Sequence, residues 1–306
     1  MVKDLVYGLA IGDALGVPVE FKNRKYLKNF PVTDMIGNGT YEQPKGTWSD
    51  DTSLALCIMD AMEKNSVDYS RIVQNFIKWK DKALFTASGI RFDIGNTTWE
   101  AIQNHKESHD IFQNGVLTSS SNGSLMRCSV LIFILKDLSF LERITITSRV
   151  NALTHGNLET FVCDFFLIEY LLELMENHDK DFAFEKTINS LMAFFYENGN
   201  DYEILKFLYN LKNLKNFPIT QIKSTGYCVH TLEAALWCFL NNFTYKDTIL
   251  AAVNLGEDTD TVAAIAGGIS GLYYGFNAIP TDWVDSLVNK ELLDKLINQV
   301  NNKING

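Results

Sequence analysis

The chain has 306 residues, with 27 Lys and Arg against 37 Asp and Glu, for a formal net charge of −10. That balance excludes broad, non-specific nucleic-acid binding, which relies on a basic footprint. A content of 46% apolar residues excludes intrinsic disorder and is enough to bury a full core.

Helical periodicity begins at the N-terminus. Gly8, Gly12 and Gly16 lie four apart in an apolar stretch and so share one helix face. Glycine costs a helix interior about 0.5–1 kcal/mol relative to alanine, so close backbone approach to a neighbour is expected to offset it. Residues 28–48 follow as an irregular segment holding Pro31, Gly37, Gly39, Pro44 and Gly46. A loop of that length inside a compact domain usually serves a function. Residues 52–64 place Leu54, Ile58, Ala61 and Met62 at helix spacing, and Ile72, Phe76 and Trp79 recur in the same way. Further helices are predicted at 157–178, 230–240, 245–255, 262–274 and 283–300. Gly267, Gly271 and Gly275 repeat the glycine stripe. The two striped helices are expected at the centre of the bundle, against each other.

The five prolines, Pro18, Pro31, Pro44, Pro218 and Pro280, all fall between predicted helices. A proline inside a helix would cost about 3 kcal/mol, so their placement marks joints. Convincing alternating strands and Pro/Ser-rich linkers are absent, and the chain reads as a single all-α domain over 1–306. Cys57, Cys128, Cys163, Cys228 and Cys238 form no CxxC pair and sit in apolar runs, which predicts buried free thiols in a reducing compartment. No run approaches the roughly 20 apolar residues of a membrane span. The N-terminal stretch carries Asp4 and Asp13 and shows no cleavage pattern, so a soluble, cytoplasmic protein with no membrane partner is expected.

The strongest chemical signal is a pair of acidic clusters, Ser49-Asp50-Asp51-Thr52 and Asp258-Thr259-Asp260-Thr261, each just before an apolar helical run. Such residues cap helix N-termini and suit the helix dipole. Capping needs only one oxygen acceptor, however, and each cluster supplies several. Hydroxyl and carboxylate oxygens are the ligands of hard cations, and the lack of His or Cys favours Mg²⁺ or Mn²⁺ over zinc. Other acidic motifs fit poorly. An EF-hand loop begun at Asp258 would put Ala263 where Gly is needed and Ile269 where Glu is needed. The His109-Asp110 and His178-Asp179 dyads stand in polar stretches and read as solvated.

Five motifs then appear in order: GLAIGDALGVPVEF (8–21), GTWSDDTSLAL (46–56), FDIGNTT (92–98), NGSLMR (122–127) with THG (154–156), and GEDTDTVAAIAGG (256–268). In these the chain resembles the ADP-ribosylglycohydrolase family, which includes the dinitrogenase-reductase-activating glycohydrolases and the animal ADP-ribosylhydrolases. STGYCVHTLEAALW (224–237) also looks like the family. The resemblance implies an all-α, orthogonal helical bundle with a central binuclear metal cleft holding two divalent cations, Mg²⁺ or Mn²⁺. Carried over by position, Ser49, Asp50 and Asp51 would bind one cation. Ser49 stands where Thr is common, and its hydroxyl still ligates. Asp258, Asp260 and Thr261 would hold the other, with Asp260 bridging. Thr52 and Thr259 would cap or support.

Glu20 would orient or deprotonate a water, Asp93 would be a second catalytic acid, and Asn96 would position substrate. Asn122, Gly123, Ser124 and His155 would serve the diphosphate and distal ribose, and Tyr227 would stack on adenine. Arg127 is left open between a phosphate contact and a buried structural role. The implied reaction removes ADP-ribose from an ADP-ribosylated protein, releasing free ADP-ribose by cleaving the N-glycosidic bond of ADP-ribosyl-arginine. The alternatives are ADP-ribosyl-serine or poly-ADP-ribose hydrolysis, a catalytically silent ADP-ribose-binding protein, and an all-α metal phosphohydrolase. The 28–48 segment is expected to shape the linkage choice.

Overall fold

The computed structural model describes residues 1–108, 110–199 and 202–305. Its centre is the pair of helices Val2–Gly16 and Thr259–Tyr274, both buried along almost their whole length. The glycine stripes make this pairing possible. A methyl at Gly8 would strike the Gly267 carbonyl, one at Gly12 the Ala263 carbonyl, and one at Gly16 the backbone of Asp260. From the other side, Gly267 faces the Gly8 carbonyl and Gly271 faces that of Asp4. Gly275 departs from the expected stripe. It has open space at its Cβ position and ends the helix with a positive φ of 82°, which glycine adopts without strain.

Around this pair pack Asp50–Asp60, Leu158–Asn177, Cys228–Asn241, Tyr245–Val253 and Lys290–Asn305. The Tyr245 hydroxyl donates to the Gly8 carbonyl (2.8 Å) and fixes one of them to the centre. The helices Asn96–Glu107, Phe140–Ala152, Lys180–Asn198 and Tyr202–Leu211 complete the outer shell. All five cysteines are free and buried. Among the described residues no helix is long and apolar enough to cross a membrane.

Two predicted helices are cut shorter than their periodicity suggests. The 52–64 run stops at Asp60, and Met62–Glu63 pairs antiparallel with Ser66–Val67 in a two-stranded ladder. Asn65 makes the turn with φ 56°, a conformation Asn tolerates. The 283–300 run is two helices, Thr281–Ser286 and Lys290–Asn305. The break frees the Val288 amide to donate to the Gly46 carbonyl (2.9 Å), so the end of the 28–48 segment docks into it. That segment is pinned elsewhere too. Asn254 exchanges side-chain hydrogen bonds with both backbone groups of Val32 (2.9 Å each), and Trp283 donates to Asp34 (2.5 Å).

Candidate active site and metal centre

Both acidic clusters begin helices, as their composition predicts. Ser49 precedes Asp50–Asp60, and Asp258 precedes Thr259–Tyr274. Capping does not account for them. Asp258 makes no side-chain cap bond, and Ser49 accepts from the Asp51 amide only at 3.3 Å. The stronger acceptor at the start of Asp50–Asp60 comes from another helix. Asp13 accepts from the amides of Ser49 (2.9 Å) and Thr52 (3.0 Å) and from the Thr52 hydroxyl (2.6 Å). Asp13 is a candidate site residue that the sequence reading missed. Its signal was an isolated acid in an apolar, glycine-striped helix, next to Gly12.

The carboxylates group across segments rather than within each cluster. Oxygens of Asp13, Asp51 and Asp260 lie within 4.8 Å of one another, and so do those of Glu20, Asp258 and Asp260. Asp260 belongs to both groups. Two of these buried residues hold an oxygen with no hydrogen-bond partner among the described residues: Asp51 Oδ1 and Glu20 Oε2. Other oxygens are held in place. Ser49 donates to Asp51 Oδ2 (2.9 Å), Asn122 to Asp258 Oδ2 (2.7 Å), and the Thr261 amide to Asp260 Oδ1 (2.9 Å). The Thr259 hydroxyl donates to the Gly16 carbonyl (2.8 Å) and so ties the central helices together beside the site.

Burial and mutual repulsion push these acids toward their neutral forms. Burial, then the charge of Asp93, raises Glu20 to about 8, and burial raises Asp13 to about 6. Asp50, Asp51 and Asp260 rise well above the ordinary range through burial first and neighbouring carboxylates next. Orphaned carboxylate oxygens in two groups, with no His or Cys, fit hard divalent cations.

A cleft of about 400 Å³ opens onto this centre. Its wall includes the acids Glu20, Asp50, Asp93 and Asp258, and Thr261. Asn96, Thr97 and Thr98 line it too, at the start of Asn96–Glu107, where Gly95 leaves the first amides without a side-chain cap. Asn122, Gly123 and Ser121 also line it. Tyr41, from the 28–48 segment, lies beside Glu20 and Asp93 and favours the charged form of both.

Three expected substrate-binding residues lie off the cleft wall. Ser124 is buried and bonds inward, donating to Asp164 (3.1 Å) and accepting from Asn151 (3.0 Å). His155 is fully buried behind the wall, with Nδ1 on the Thr154 hydroxyl (2.7 Å) and Nε2 on that of Ser121 (2.9 Å). Burial lowers it to about 3, so it is neutral. Tyr227 bridges Ser121 through its backbone, but its hydroxyl donates to Glu159 and its ring packs on His230. Arg127 is fully buried and structural. It donates to the Gly123 carbonyl and the Thr154 hydroxyl (2.6 Å each) and stacks on Phe76 (4.8 Å). It therefore holds the Asn122–Gly123 turn from behind. His178 and Asp179 are exposed, as expected, and His109 lies outside the described residues.

Asp164 gives a pH prediction. Burial raises it to about 7 against an unfolded value near 3.9. The folded state holds this proton more tightly, so the stabilisation is complete below about pH 4 and is lost as pH rises through about 7. Asp164→Asn is expected to flatten the fall in stability across that window, measured as urea midpoints of variant and wild type at matched pH.

The family model described as ADP-ribosylglycohydrolase matches residues 2–306. The chain belongs to the ADP-ribosylglycohydrolase family. It is 32% identical over 304 residues to the ADP-ribosylarginine hydrolase Tri1 of Serratia proteamaculans, covering 97% of this chain and 78% of that one. It is 25% identical over 289 residues to the ADP-ribosyl-[dinitrogen reductase] glycohydrolase of Rhodospirillum rubrum, covering 92% and 87%. A solved structure titled ADP-ribosylglycohydrolase-related protein complex superposes with a TM-score of 0.77 at 28% identity, covering 98% of this chain and 96% of that chain. This ADP-ribosylglycohydrolase-family chain is accordingly a glycohydrolase acting on ADP-ribosylated protein.

Proposed function

We propose that the chain cleaves the N-glycosidic bond between ADP-ribose and an arginine side chain, using two divalent cations, Mg²⁺ or Mn²⁺. The observation that carries this reading is the composition of the cleft. The cleft combines carboxylates grouped around Asp260 with uncapped helix amides at Asn96 and the Asn122–Gly123 turn. The carboxylates suit cations and a ribose with its developing positive charge, and the amides and the turn suit a diphosphate. The arginine linkage is supported by the name of the Serratia relative, which the chain matches over 97% of its length.

Asp51 and Asp260 with Asp13, and Glu20 and Asp258 with Asp260, are the groups that would hold the cations. Ser49, Asp50 and Thr261 are further oxygen donors beside them. Bound there, the cations would supply Lewis acidity toward water and the ribose hydroxyls. The rest of the chemistry belongs to the chain. The bond from the anomeric carbon to the guanidine nitrogen breaks, and the nitrogen takes a proton from Asp93, whose carboxyl is raised by burial, which favours its acid form. Water adds to the anomeric carbon, and its proton passes to Glu20. Neighbouring cations favour the charged form of Glu20 that this step requires.

The test is release of free ADP-ribose from matched arginine- and serine-linked peptides with Mg²⁺, Mn²⁺ or EDTA. Cation-dependent release from arginine alone is expected. Full activity in EDTA, or release from serine alone, would refute the reading. Asp93→Asn is expected to lower kcat by about 10²–10⁴-fold with KM nearly unchanged, measured by steady-state kinetics.

A further inference from the structure

We propose that Phe21, with Tyr41 and Phe92 behind it, is the seat for the guanidinium of an ADP-ribosylated arginine and so selects that linkage over a neutral one. The proposal rests on the arginine reading above.

Phe21 lines the cleft, yet its side chain is 70% exposed. Its backbone is left-handed, with φ 63°, an outlier for a bulky residue. A reciprocal clamp holds it there. The Phe21 amide donates to the Glu257 carbonyl and the Glu257 amide to the Lys22 carbonyl, both at 2.7 Å. Glu257 is itself left-handed, at φ 65°, and directly precedes Asp258. Strain of this kind costs about 1–3 kcal/mol and clusters at functional sites.

Turning Glu20 inward could explain the backbone but not the side chain. Glycine or asparagine would take this conformation at lower cost. A phenyl ring left mostly in water adds little to the core, so the ring itself is the feature to explain.

Two further rings stand behind it, brought from separate segments. Tyr41 lies 6.4 Å from Phe21 between centroids, and Phe92 lies 5.1 Å from Tyr41. Phe92 directly precedes Asp93. The cleft beside these rings is lined by Glu20, Asp50, Asp93 and Asp258 and, among the described residues, by no Lys or Arg. An aromatic face at the rim of an acidic cleft suits a flat, weakly hydrated cation, which is what a guanidinium is. A neutral linkage would gain nothing from the rings.

Phe21→Leu keeps an apolar side chain and removes the ring face. The full chain with Mg²⁺ or Mn²⁺ is assayed on an arginine-linked ADP-ribosyl peptide, with free ADP-ribose as inhibitor. The expected result is a fall of about tenfold in kcat/KM, an inhibition constant for ADP-ribose within about twofold of wild type, and recovery in Phe21→Trp. An unchanged kcat/KM in Phe21→Leu overturns the proposal. An equal loss of ADP-ribose inhibition overturns it too, because the ring would then contact ADP-ribose itself. Wild-type protein inactive on the arginine-linked peptide would sink the linkage reading instead, and that outcome is seen before any variant is made.

Discussion

Asp260→Asn is expected to abolish ADP-ribose release while making the cation-free protein more stable. Asp260 is shared by both carboxylate groups and is almost wholly buried, and the charges of Glu20, Asp51, Asp258 and Asp93 all bear on it. At pH 8, neutralising it removes that repulsion without removing bulk. A gain of about 1 kcal/mol or more in the presence of EDTA is expected. For larger chains this corresponds to roughly 2–4 °C per kcal/mol in the thermal midpoint.

The same substitution should erase most of the stabilisation that cations give. A ligand at one hundred times its dissociation constant adds about 2.7 kcal/mol to a folded protein. Thermal melts of wild type and variant, each with EDTA and with Mn²⁺, separate the two effects. A variant that melts lower in EDTA and still gains fully from Mn²⁺ would contradict this account of the centre.

Gly12→Ala is expected to destabilise the fold by about 3 kcal/mol or more, against the sign of helix propensity. Propensity alone favours alanine by about 0.8–1 kcal/mol. The added methyl, however, would enter the carbonyl of Ala263, and backbone cannot give way as a flexible side chain can. The two central helices must then separate. They carry Asp13 and Asp260, so the variant should also lose cation-induced stabilisation. Gly268→Ala is the internal control. Its nearest neighbours lie at 3.8 Å or more, an ordinary contact distance, and the propensity term is left unopposed. That variant is expected to be neutral or more stable by up to about 1 kcal/mol. Urea denaturation of both variants would reveal whether one helix pair gives opposite signs.

Much of the site was legible in the residues, but not its grouping. The acidic doublets and Glu20, Asp93, Asn96, Asn122 and Gly123 all reach the cleft or its floor. Ser124, His155 and Tyr227 do not line it, since their hydrogen bonds run to Asp164, Thr154 and Glu159. A motif fixes where such residues fall in the chain, but not which way each side chain turns. Asp13 and Tyr41 show the converse. Nothing local distinguishes Asp13 from a stray acid until Asp50–Asp60 begins against it, or Tyr41 from a loop tyrosine until Glu20 and Asp93 lie beside it.

The helical class, the two acidic helix starts and the glycine stripes that let two helices touch can all be read from neighbouring residues. These follow from periodicity, capping chemistry and side-chain volume, which act over a few neighbouring residues. Only in the folded chain is it seen that Asp260 is shared with carboxylates of Asp13, Glu20 and Asp51, that 283–300 breaks to receive Gly46, and that the Phe21 ring stands at the rim. Each depends on contacts between distant parts of the chain, where packing and the hydrogen-bonding needs of buried backbone override local preference.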